Sequence, residues 1–292
     1  MSQFENFKIE FDSLTAPNLA DRRSFLAGMI ASGFALAVQP VCADTVIKTD
    51  SVGLTVGPVE IPAGDITLPG YRARPEGAGP FPVVIVIQEI FGVHEWVQDV
   101  CRRLAKAGYL AVAAALYTRQ GDPAKEATIA DIQKNILSKV PDEQVQSDLD
   151  ATVAWAIKNG GDANRIAATG FCWGGRQTWL FAAHNPKLKA AVAWYGPLVG
   201  NSTPLTPKFP VDIAADLKAP VLGLYGGQDQ GITQEHVAKL REAVKAAKVK
   251  TEIVVFPQAG HGFLADYRPS YNAEAGADGW KRLLAWFKEN GV

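Results

Sequence analysis

The chain has 292 residues, 48% of them hydrophobic and 20% charged, with 29 lysines and arginines against 30 aspartates and glutamates. That balance suits a globular protein with a substantial core, and a net charge of −1 with no basic run gives nucleic-acid binding no electrostatic footing. Three cysteines, at 42, 101 and 172, are too few and too scattered for a disulfide framework. Without C-x-x-C or H-x-x-x-H spacing, neither a metal site nor a bound cofactor is expected.

The chain opens with an address. Arg22 and Arg23 precede an apolar run from Leu26 to Val38, and Val41-Cys42-Ala43 supplies small residues for cleavage. This is the three-part layout of an export signal, and the run is too short to span a bilayer comfortably. The arginine pair followed by Phe25 and Leu26 resembles a bacterial twin-arginine signal. Residues 1–43 are thus expected to be a signal peptide and 44–292 a single domain. The mature protein would be periplasmic or otherwise exported, with no stable membrane insertion after cleavage; an uncleaved anchor or an ordinary buried helix is the competing reading of the segment, and a cytoplasmic location the alternative. Cleavage after Ala43 removes Cys42, and Cys101 and Cys172 are expected to remain thiols.

Residues 44–76 carry short alternating stretches (Val46 to Ile47, Leu54 to Val56, Tyr71 to Ala73) that read as antiparallel lead-in strands. Val83 to Ile87 is an unbroken β-branched run, as a strand buried on both faces requires. Glu95 to Ala107 has helical spacing ending at Gly108, and Tyr109 to Leu116 reads as the next strand. Tyr117 to Ser138 is irregular. Helices are predicted over Gln144 to Lys158, Gly174 to His184, Thr233 to Ala247 and Gly276 to Asn290. Strands are predicted over Arg165 to Thr169, Ala190 to Trp194, Val221 to Tyr225 and Glu252 to Phe256. Repeated strand–helix units predict an α/β fold, a mostly parallel sheet with helices on both faces. Ligands of such sheets collect at the carboxyl ends of the strands, where Glu89, Cys172, Asp229 and His261 all fall.

Gly170-Phe171-Cys172-Trp173-Gly174 is a G-x-nucleophile-x-G turn between strand and helix, the nucleophile elbow of the α/β-hydrolases with cysteine in place of serine. The glycines admit a tight turn that larger residues would block, and the sulfur falls at a helix N-terminus, which favours thiolate. A small buried hydrophobe is the competing reading of Cys172; its downstream partners decide against it. Asp229 ends one strand in G-G-Q-D, and His261 ends the next between two glycines, giving the chain order nucleophile, acid, histidine. In this reading His261 takes the thiol proton and later activates water, while Asp229 orients the imidazole. His184 and His236 lie on helices away from the site, whereas His94, beside the exit of the first central strand, can approach it.

Q-E-I-F-G from Gln88, L-Y-T-R-Q from Leu116, G-F-C-W-G-G from Gly170, G-G-Q-D from Gly226 and G-H-G-F from Gly260 together resemble the dienelactone hydrolase (carboxymethylenebutenolidase) family. The resemblance implies a Cys172–Asp229–His261 triad, with Glu89 contacting the resting thiol until substrate displaces it. It also implies an oxyanion hole from the backbone N–H groups of Ile90 and Trp173, and a small lactone or ester as substrate. Arginines bind a substrate carboxylate in that family; Arg119 and Arg268 are the candidates here, and Asp266 would repel an anion if it faced the pocket. Two alternatives stand beside lactone hydrolysis: the same fold acting on another ester or thioester, and an exported binding protein without catalysis.

Overall fold

The computed structural model describes residues 47–292. The expected signal peptide, Cys42 and Val46 lie outside the described residues. An antiparallel hairpin comes first: β1 (Leu54–Ala63) and β2 (Ile66–Pro75) pair along their whole length from Leu54↔Pro75 to Ala63↔Ile66. Ile61, Ala63 and Leu68 are buried on one face of the hairpin, and Tyr71 and Ala73 on the other, toward the end of β2 that joins β4. Ile47 belongs to no strand.

The central strands are β3 (Phe81–Ile87), β4 (Leu110–Ala114), β5 (Gly161–Phe171), β6 (Ala190–Trp194), β7 (Val221–Gly226) and β8 (Thr251–Phe256). With the hairpin they form one sheet in the order β1-β2-β4-β3-β5-β6-β7-β8. From β4 to β8 every pairing is parallel; β2 joins β4 antiparallel. β4, β6 and β7 are buried at every position, as strands covered on both faces must be.

Five longer helices join the strands: α1 (Glu95–Lys106), α2 (Asp142–Lys158), α3 (Trp173–His184), α4 (Gln234–Ala243) and α5 (Ala273–Glu289). α1 buries Trp96, Val97, Val100, Cys101, Leu104 and Ala105, one stripe at helical spacing, and Gly108 follows it with φ 103°. Asn272 caps α5, its side chain accepting the Ala275 N–H. Neighbouring residues of β7 face opposite layers. A side chain at Gly223 would meet Trp179 of α3, whereas Leu224 packs toward Gly279 of α5. The sheet is thus covered from both sides.

Sequence patterning and structure differ in two stretches. Within the stretch from Tyr117 to Ser138, predicted irregular, consecutive short helical turns begin at Ile129, run on to Lys139 and bury Ile129, Ile132, Ile136 and Leu137. Gly161, outside the strand predicted over Arg165 to Thr169, begins β5, because Phe81 pairs with it across a register shift.

Candidate active site

The carboxyl ends of β3, β5, β7 and β8 converge on one edge of the sheet. At the end of β5, Cys172 has φ 54° and ψ −117°, a conformation in the left-handed half of backbone space that costs about 1–3 kcal/mol for a non-glycine residue. Neighbouring backbone holds it there: the Cys172 N–H donates to Trp194 O at 3.0 Å, and its carbonyl accepts the Arg176 N–H at 3.2 Å. A Cβ on Gly170 would overlap the Gly174 carbonyl, and one on Gly174 would overlap the carbonyls of Ile87 and Gln88. The second overlap has a consequence for geometry. The first turn of α3 lies directly on the exit of β3, so the backbones of Trp173 and of the Glu89–Ile90 loop share one corner.

Asp229 and His261 leave adjacent strands and meet. Asp229 Oδ1 accepts the N–H groups of Gly231 and Ile232, both at 2.9 Å, which fixes its carboxylate. Its Oδ2 lies 2.8 Å from His261 Nδ1. Both residues are buried. Burial alone would push the imidazole down; the Asp229 carboxylate, and after it the Cys172 sulfur by charge and hydrogen bond, reverse this and hold His261 well above the ordinary imidazole range. Tyr195, itself at φ 37°, sets its ring edge-on to the imidazole at 5.2 Å between centroids.

Glu89 is fully buried at the exit of β3. Tyr267 donates its hydroxyl to Oε2 at 2.5 Å, and Arg268 reaches Oε1 at 3.1 Å while also donating to the Tyr267 hydroxyl at 3.0 Å. The Arg268 guanidinium lies 5.4 Å from the ring centres of both Phe91 and Tyr267. Tyr267 was not singled out from sequence, although it sits beside Arg268 just after the G-H-G-F turn. Asp266 faces away from this cluster: Trp96 Nε1 and Arg103 occupy its Oδ1 at 2.7 and 2.9 Å, and the Ile47 N–H its Oδ2 at 2.7 Å.

Arg119 is not brought to Cys172 or Glu89. Its guanidinium is engaged by Asp148 at 2.7 Å, Asp65 at 2.8 Å and the Ala63 carbonyl at 3.1 Å, which ties the β1–β2 turn to α2. Arg176, four residues after Cys172, grips Asp142 with two nitrogens at 2.7 Å each and anchors the start of α2.

A nucleophile-type elbow, a carboxylate–imidazole pair and a strand-end cluster on a mostly parallel eight-stranded sheet define the α/β-hydrolase class. Known proteins narrow it. The pattern of the dienelactone hydrolase family matches residues 68–291, and the chain belongs to that family of carboxylic ester hydrolases. It is 58% identical over 287 residues to a "putative carboxymethylenebutenolidase" of Methylorubrum extorquens, spanning 98% of this chain and 99% of that one. It is 56% identical over 261 residues to one of Escherichia coli, spanning 89% and 96%. The crystal structure of a "putative dienelactone hydrolase" from Klebsiella pneumoniae superposes with a TM-score of 0.80 at 57% identity, covering 81% of this chain and 99% of that one. Acylaminoacyl peptidase of Pyrococcus horikoshii, at 16% identity and TM-score 0.64, shares the fold, covering 84% of this chain and 42% of its own.

Proposed function

We propose that this enzyme hydrolyses a small lactone or ester through an acyl-thioester on Cys172. The observation that carries the reading is the 2.8 Å Asp229–His261 contact, formed beside a cysteine held at positive φ. Asp229 on one side and, once it forms, the Cys172 thiolate on the other favour the protonated imidazole, so in this reading His261 acts first as the donor to the leaving oxygen. The Cys172 S–H bond breaks toward Glu89, and the thiolate attacks the carbonyl carbon. The Ile90 and Trp173 N–H groups receive the oxyanion, each such donor contributing about 10²–10³ in rate. The ring or ester C–O bond then breaks, and the leaving oxygen takes the His261 proton. Neutral His261 next accepts a proton from water, whose oxygen attacks the thioester; the C–S bond breaks and the thiolate recovers its proton from Glu89.

Arg268 gives substrate class a physical basis. A substrate carboxylate would compete with Glu89 for this guanidinium. The sequence signal at residues 1–43 supports export of the enzyme, so its substrate would be met outside the cytoplasm.

Replacing Cys172 with alanine tests the reading. Hydrolysis of p-nitrophenyl acetate and of cis- and trans-dienelactone should fall to background, with an acyl adduct on Cys172 trapped in the unmodified protein at low pH. Turnover surviving in Cys172→Ala would refute it.

A further inference from the structure

His94 stands at the mouth of α1 with its ring packed on three aromatic neighbours: Phe91 edge-on at 6.1 Å, Trp96 stacked at 6.2 Å and Tyr267 edge-on at 5.2 Å. Its side chain is 9% exposed, and neither ring nitrogen makes a hydrogen bond among the described residues. A buried polar atom without a partner costs free energy and calls for an explanation. One is at hand: Nε2 lies 3.5 Å from Glu89 Oε2, the same oxygen that takes the Tyr267 hydroxyl. The other charged and titratable groups around the ring are committed elsewhere or act through Glu89. Arg268 and Tyr267 donate to Glu89, Glu95 is paired with Arg102, and Asp266 is turned to Trp96 and Arg103.

This arrangement bears on a difficulty in the proposed mechanism. Glu89 is asked to accept the thiol proton while a guanidinium and a hydroxyl both stabilise its ionised form. In the mechanism above His261, held at 2.8 Å by Asp229, keeps its proton for the leaving oxygen. An imidazole is intrinsically more basic than a carboxylate by about 2 pH units.

We propose that His94 relieves Glu89 of the Cys172 proton, so that the thiolate forms against a Glu89–His94 pair rather than Glu89 alone. The inference rests on the cysteine mechanism above. In the first transfer the S–H bond breaks and an O–H bond forms on Glu89. In the second that O–H breaks and an N–H forms at His94 Nε2. Cys172 is then thiolate, Glu89 carboxylate and His94 imidazolium, so the new anion and the new cation balance. The same proton returns by the same path after the thioester is hydrolysed. His94 thereby acts through Glu89, without touching substrate.

Two replacements in the full-length chain separate proton acceptance from packing. His94→Phe keeps an aromatic ring among Phe91, Trp96 and Tyr267; His94→Gln keeps a polar group that accepts no proton at neutral pH. The rate of Cys172 alkylation by iodoacetamide, followed by mapping the modified peptide, is measured from pH 5 to 10 beside kcat and KM on p-nitrophenyl acetate. Both variants should alkylate at least tenfold more slowly at pH 7, with the profile displaced upward by about one unit, toward an ordinary thiol. kcat should fall in parallel and KM stay within twofold. Profiles that superimpose on the unmodified protein, or a loss in only one variant, would overturn the role of His94; thermal melts identify a variant lost to misfolding, and the other then decides. Cys172→Ala run alongside distinguishes the two levels: if it retains turnover the cysteine mechanism fails, and if it is dead while both His94 variants behave normally only this inference fails.

Discussion

Glu89 and Arg268, 179 positions apart in sequence, meet as a fully buried ion pair with Oε1 3.1 Å from a guanidinium nitrogen. Taking two charges out of water costs several kcal/mol each, and mutual attraction offsets this only when both partners are present. Arg268→Met should therefore destabilise the fold by about 3–5 kcal/mol, because it strands a buried carboxylate. Glu89→Gln combined with Arg268→Met should recover most of that loss. Urea denaturation of the two singles and the double gives the coupling directly, and simple additivity would show that the pair carries no mutual stabilisation.

Asp229 does for His261 what Arg268 does for Glu89, with a different readout. Asp229→Asn should lower kcat by about 10³–10⁴ with KM little changed, since the imidazole loses its orienting anion. Stability should respond to pH as well. A histidine raised in the folded state, as His261 is, contributes stability that is complete below its unfolded value near 6.5 and is lost as pH rises through the folded value. The unmodified protein should thus lose stability from about pH 6.5 upward, and Asp229→Asn should show a weaker decline. Parallel pH dependences in urea midpoints would contradict this assignment of the shift.

The two glycines flanking His261 look equivalent in sequence, yet structure separates them. A Cβ on Gly260 meets nothing within 4 Å, and its φ lies outside the left-handed region. Gly262 has φ 73°, and a Cβ there would press on Arg268 Cδ at 2.9 Å. Gly260→Ala should stay within about 0.5 kcal/mol of the unmodified protein. Gly262→Ala should cost about 1–3 kcal/mol and lower activity by disturbing the Arg268–Glu89 pair. Thermal melts and ester assays on the two variants check the contrast.

These cases mark how far sequence patterning reaches. The β-branched run at Val83–Ile87 and the stripe on α1 announce their elements, because burial on two faces or one imposes a periodicity. The Cys172 elbow, Asp229 and His261 are equally visible, since each ends a recognisable strand in a glycine-bearing turn. Residues 262–272 carry no such periodicity, so nothing local tells that Asp266 turns away to Trp96 while Tyr267 and Arg268 turn in to Glu89. Arg119 is the converse case. The family resemblance makes it a candidate for a substrate carboxylate, but its partners Asp65 and Asp148 lie 54 and 29 positions away, a distance at which pattern gives no warning.

The start of the described chain makes a prediction about processing. The Ile47 N–H donates to Asp266 at 2.7 Å and the Thr49 N–H to Asp99 at 2.7 Å, while Arg102 Nε holds the Thr49 carbonyl at 2.9 Å. Both carboxylates are buried, so stripping either donor leaves an acceptor short of its partners at about 1–3 kcal/mol each. A signal cut after Ala43 leaves Asp44 to Val46 ahead of this anchored stretch, and preserves both bonds. If residues 1–43 act as a twin-arginine signal, the full chain expressed in a bacterium with that export route should reach the periplasm with its N-terminus upstream of Ile47, and Arg22→Lys with Arg23→Lys should retain it in the cytoplasm at full length. Fractionation followed by N-terminal sequencing reads both outcomes. A chain truncated at Ile47 should melt like the exported form, whereas one beginning at Asp50 should unfold several degrees lower. A processed N-terminus beyond Thr49 with undiminished stability would show that these backbone bonds to Asp99 and Asp266 do not anchor the segment.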